Sequence, residues 1–211
     1  MINTKKMVLS AIFTLALAVV GIVPTAQAVP NKAATSTSFK APAAPSPSAR
    51  PSSSLPRLGR DKHGMPFYHP KQTNRVVRTT AYTHTEGDHL AYGPKNAVGT
   101  HLLYSEQYRS AAADWSVYPL GTKFKIKGQP YIYIVDDYGS ALVGTGTIDI
   151  YQPSKSLMKK WGRRIVEIQV IEWGSSKQSM KQLAARTHYR HCAKMQAALK
   201  KQSKHSKTTQ H

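Results

Sequence analysis

Asp114, Asp136, Asp137 and Asp149 are four of only ten acidic residues in a 211-residue chain of formal charge +20. A chain this basic keeps few carboxylates, so a region that gathers several invites a chemical reading. A carboxyl group becomes a general acid when burial or a neighbouring carboxylate holds its proton beyond the usual range. Asp149 stands in Thr147-Ile148-Asp149-Ile150-Tyr151, an apolar setting that disfavours its charge. Its two isoleucine neighbours point to the opposite face of a strand, so other elements must supply its surroundings.

The elements around these residues read mainly as β-structure. Val76–Tyr82 is a β-branched run fit for a strand. Lys123–Lys127 alternates so that Phe124 and Ile126 share one face and the lysines the other. Tyr131–Val135 is a further strand, followed by Asp136-Asp137-Tyr138-Gly139. A short helical segment ends at Trp161-Gly162-Arg163-Arg164, and in the strand after it Val166, Ile168 and Val170 share a face. Faces that alternate inward and outward in this way suit a small closed barrel. Glu106–Ala112 reads as a short helical segment, and 84–103 as a polar, glycine-containing loop. His84, Asp88 and His89 in that loop fit no standard zinc spacing and have no cysteine partner, so they read as solvated loop residues. Neither a metal nor a cofactor is expected.

The ordered set Pro-Leu-Gly-Thr (Pro119–Thr122), Asp137-x-Gly139 with Ala141 and Gly144 after it, Ile148-Asp149-Ile150-Tyr151 and Trp161-Gly162-Arg163-Arg164 resembles the three-aspartate (3D) domain. Upstream, Thr79-Thr80-Ala81-Tyr82, Val98-Gly99-Thr100 and Ala113-Asp114 extend the likeness. The resemblance implies the six-stranded double-psi β-barrel of membrane-bound lytic transglycosylase A, over residues 75–174. It also implies that Asp149 matches the catalytic aspartate, Asp137 the second aspartate and Asp114 the first. Asp137 would orient Asp149 or the substrate, and Asp114 would bind substrate or hold structure. Tyr82, Thr100, Gly139 and Tyr151 are carried as substrate-binding or structural positions. Tyr118, Tyr138 and Tyr151 flank the acidic motifs and either stack on sugar rings or pack the barrel.

Outside this span the chain changes character. Lys5 and Lys6 precede an apolar run from Met7 to Val23, and Ala26-Gln27-Ala28 supplies a cleavage pattern, so residues 1–28 read as a secretory signal peptide. Residues 29–74 are rich in Ala, Pro and Ser and read as a disordered or extended linker, with Pro66-Phe67-Tyr68 able to pack on the domain. Cys192 is alone, so no intrachain disulfide forms. From 175 to 211 the chain carries no acidic residue and reads as a basic, partly helical tail. The tail is expected to attract anionic envelope polymers or lipids and to be dispensable for folding. Export argues against nucleic acid.

Two functions follow from the resemblance. The first is cleavage of peptidoglycan glycan strands by lytic transglycosylation. The second is a wall-binding or wall-loosening module of expansin type that breaks no bond. Either would be exported and periplasmic or cell-wall associated, with outer-membrane association as a further expectation.

Overall fold

A computed structural model describes residues 58–87 and 89–208. The signal-peptide reading of 1–28, the linker up to residue 57 and Asp88 lie outside the described residues. Six strands close into a barrel: β1 (Asn74–Tyr82), β2 (Tyr108–Ala113), β3 (Lys123–Ile126), β4 (Ile132–Asp137), β5 (Ile148–Tyr151) and β6 (Arg164–Glu172). Their order around the barrel is β1-β5-β2-β4-β3-β6. β1 pairs with β5 and β2 with β4 in parallel; the other four pairings are antiparallel. The expected mainly β, six-stranded closed barrel with short helices is therefore what the chain forms.

Closure buries one face of every strand. Val77, Ala111, Ala113, Phe124, Ile126, Tyr133, Val135, Ile148, Ile150, Ile168 and Val170 meet in one core. Phe124 and Ile126 are buried as their alternation predicts, while Lys123 and Lys127 reach outward to Glu172 and Glu167.

Two expectations are corrected. The segment 106–112 is not helical: Tyr108–Ala113 is the strand β2, held between β4 and β5. Alanine favours helix in isolation, but here pairing on both sides with β4 and β5 holds the segment extended, and Ala111 and Ala113 are buried in the barrel core. The second concerns the basic tail. Two helices, α2 (Ser176–Ala184) and α3 (Arg190–Thr208), follow α1 (Lys155–Trp161). Leu183, Cys192, Met195 and Leu199 are at most 1% exposed and join the barrel core. The Ser179 hydroxyl accepts from the Leu120 amide at 2.9 Å, and Gln202 donates to the Ser116 carbonyl. The weak apolar stripe is sufficient because only four side chains per two helices need to enter the core. The segment packs into the folded unit instead of trailing from it as a solvated tail.

The family-like turns have plain physical roles. Gly174 is pressed against the Pro-Leu-Gly-Thr turn, where a Cβ would collide with the carbonyl oxygens of Pro119 and Leu120. Gly162, at φ 60°, ends α1 and gives its N–H to the Met158 carbonyl. Trp161 then reaches back to Thr79 on β1, and Arg164 lies over the Trp161 ring. The segment before the barrel also packs: the Tyr68 hydroxyl accepts from the Val76 amide and donates to its carbonyl, while Phe67 stays largely exposed.

A candidate acidic site across three strands

Register places the carboxylates. On β5, Asp149 is paired with Thr80 of β1 on one side and Ala112 of β2 on the other. Ala112 in turn faces Asp137 on β4. Asp149, Ala112 and Asp137 thus form one row across β5, β2 and β4, with the two aspartate backbones about 10 Å apart, two strand spacings. A bulge lies between Ala111 and Ala112: Ala111 pairs with Val135, and Ala112 skips Asp136 to pair with Asp137. Bulges re-aim side chains, and this one decides which of two consecutive aspartates joins the row.

The row floors a cleft of about 180 Å³ whose walls include Tyr82, Glu86, His89 and Tyr138, with Gly139 at its edge. Ala112 has only a methyl group, which leaves the space between the carboxylates open. Asp149 is half-buried, and among the described residues its carboxylate accepts one hydrogen bond, from the Thr80 hydroxyl at 2.7 Å. Burial pushes its pKa up to about 6, with the nearby Glu86 and Asp137 charges adding to the rise and the Thr80 bond and Arg78 opposing it. Asp137 is 5% exposed and is also raised by burial. It accepts from the Tyr138 amide at 2.9 Å and from the Tyr82 hydroxyl at 3.1 Å. Burial together with the Asp137 charge holds the Tyr82 phenol well above its ordinary range, so it remains a donor.

The remaining predicted residues divide. Tyr151 is buried, packs at 5.6 Å on the Tyr82 ring and bonds His84 at 2.7 Å; it supports the cleft wall from behind. Asp114 lies outside the cleft. One of its oxygens accepts from the Ser116 amide and hydroxyl at 2.8 and 2.6 Å, and the other from the Gly144 amide at 2.7 Å. It ties the turn after β2 to the loop before β5, a structural role. Thr100 is exposed and bonds Asn96, away from the row.

Asp136 is a second buried carboxyl that does not line the cleft. Ser110 donates to it at 2.5 Å and Asn96 at 2.9 Å, its other oxygen has no partner, and burial lifts its pKa to about 6. Sequence reasoning missed Thr80, Ala112, Glu86 and His89 as cleft residues. The polar loop 84–103 is not merely solvated: Glu86 and His89 turn onto the cleft, and the His89 ring meets Tyr82 at 5.7 Å. Thr80 alone carried a signal, through its place in the Thr-Thr-Ala-Tyr motif. Among the described residues no cluster of His, Cys, Asp or Glu has the form of a metal site.

Two proteins of Bacillus subtilis are each 33% identical to this chain over 96 residues, 46% of its length. One is named "Putative cell wall shaping protein YabE" and the other "Cell wall-binding protein YocH". The match spans 22% of the first relative and 32% of the second, well under two thirds of either. The model of the 3D domain family matches residues 109–172, a span that holds Ala112, Asp114, Asp137 and Asp149 together with five of the six barrel strands in whole or nearly so.

Proposed function

We propose that this protein acts on the bacterial cell wall, and that its acidic cleft cleaves the glycan strands of peptidoglycan with Asp149 as the proton-transfer group. The wall assignment is supported by the 3D domain and by the names of both relatives. The observation that carries the finer reading is the row Asp149–Ala112–Asp137, which sets two raised carboxyls on either side of an open floor.

The chemistry follows from that pKa. A carboxyl of pKa about 6 is partly protonated near neutral pH and can protonate a glycosidic oxygen. As the C1–O4 bond breaks, that proton leaves with O4 as a hydroxyl. Asp149, now a carboxylate, takes the proton from the sugar's own 6-hydroxyl while O6 bonds to C1. The proton count closes without water, and a 1,6-anhydro end is the product. Asp137, oriented by Tyr82 and the Tyr138 amide, faces the same space and in its ionised form favours the positive charge that develops at C1. The required protonated form is lost as pH rises through about 6, so the rate falls on the alkaline side.

Incubation of the purified protein with peptidoglycan, followed by mass spectrometry, tests this directly. The expected product is 1,6-anhydro muropeptides, absent with Asp149→Asn. Binding to sacculi without such products supports the second reading, a wall-binding module, which the name of the relative YocH favours. Among the described residues no helix is long and apolar enough to cross a membrane. Export and residence at the wall belong to the same proposal.

A further inference from the structure

Strand β5 borders a second cleft. Ile150 and Gln152, which alternate with Asp149 and Tyr151, line a cavity of about 260 Å³. Its walls carry three cations, Arg109, Lys160 and Arg164, several aromatic rings and no acidic residue.

Arg109 is the unusual member. It is 8% exposed, and its guanidinium carbon lies 3.4 Å from the Tyr104 ring centroid and 4.1 Å from that of Tyr131. Its Nε and Nη1 are buried without a hydrogen-bond partner. The ion pairs found among the described residues, Lys123–Glu172 and Lys127–Glu167, do not involve it. A buried charge is costly unless paired, and cation–π contact recovers only part of that cost. Arg164 is fixed by the carbonyls of Trp161 and Lys160 at 2.8 and 3.0 Å and lies over the Trp161 ring. Two held guanidiniums and a lysine thus border one cleft in which no described residue offers them a counter-ion. Guanidiniums match planar and tetrahedral oxyanions, and a fixed one loses little freedom on binding.

We propose that this cleft is an oxyanion site, taking a phosphate or carboxylate group whose carrier packs on the aromatic rings of Tyr104, Tyr131 and Trp161. It stands apart from the acidic cleft and does not rest on the reading of Asp149. Tyr104 does meet Tyr151 edge-on at 6.4 Å, so a long ligand held here passes close to the wall of the acidic cleft.

The test uses the full chain and two probes, glycerol 3-phosphate and N-acetyl-D-alanine, with glycerol as the uncharged control, followed by calorimetry and by the NMR shift of the Trp161 indole. Saturable binding of at least one probe that moves the Trp161 signal is expected, weakened at least tenfold by Lys160→Gln and abolished by Arg109→Gln. A response to the phosphate alone identifies a phosphate-bearing carrier; a response to the acylated amino acid alone identifies a peptide carboxylate. Absence of binding by both probes overturns the proposal, as does binding that is unchanged in Lys160→Gln or that moves signals of α2 and α3 but not Trp161. If Arg109→Gln does not fold, Lys160→Gln, at an exposed position, decides.

Discussion

Asp114 and Asp149 are both aspartates at strand ends of one barrel, yet the fold treats them oppositely. Asp114 is almost wholly buried, and three donors share its two oxygens. Asp149 is less buried, has one donor and is pushed up to about 6. The difference lies in what each carboxyl is left free to do. Donors favour the charged form and oppose the rise that burial causes, and at Asp149 burial is the larger effect. The oxygens of Asp114 are taken up in cross-links between loops, while Asp149 faces an open cleft.

Breaking the fold around Asp114 gives the largest effect. Met195 lies on the Trp115 amide and Gln202 on the Ser116 carbonyl, so the helical tail packs directly on the Asp114 turn. A chain ending at Gly174 loses Leu183, Met195 and Leu199 from the core, each worth about 2–5 kcal/mol. It is expected to show no cooperative thermal transition; a sharp melt in that truncation would show that the barrel closes unaided.

At the other carboxyl the effect is on rate. Asp149→Asn keeps size and the Thr80 contact but removes the transferable proton. Product formation is expected to drop by about a hundredfold or more. Asp114→Asn is expected to keep most of the rate per folded molecule, and comparable losses in both variants would erase the distinction.

Stability should order them the other way. Asp114→Ala strands the Ser116 and Gly144 amides and is expected to cost about 2–4 kcal/mol in denaturant titrations. Gly174→Ala, which forces a methyl onto the Pro119 and Leu120 carbonyls, is expected to be at least as damaging as a core cavity.

The smallest effect is the most diagnostic. The folded pKa of Asp149, about 6, lies above the unfolded value near 4. Between these values the folded state binds more protons, so stability rises as pH falls through the window and is lowest above pH 6. Asp149→Asn removes this contribution. The variant should be the more stable protein above pH 6, by on the order of 1 kcal/mol, with the gap closing toward pH 4. Asp136, also raised to about 6, leaves a residual slope of the same sign. A variant uniformly less stable at every pH would mean that Asp149 is a structural aspartate like Asp114.

In the sequence, the period-2 faces of Lys123–Lys127 and of the strand with Val166, Ile168 and Val170 suit a closed barrel, and the resemblance to the 3D domain supplies the six-stranded form that the chain adopts. The same resemblance singles out Asp149 and Asp137, whose motifs are contiguous in the chain. The sequence misread 106–112, since alanine's local preference is silent about the two strands that enclose it. It misjudged the tail, because a sparse apolar stripe looks the same whether or not a partner surface exists. Tertiary structure alone decided what stands between the carboxylates. Ala112 becomes the floor only because β2 lies between β4 and β5, and the bulge beside it selects Asp137 over Asp136. Likewise, Arg109 on β2 and Arg164 at the start of β6 are 55 residues apart in number and border one cleft only in the closed barrel. Local patterns fix which face of a strand is buried; pairing across the barrel fixes which side chains share a site, and no single stretch of chain carries that information.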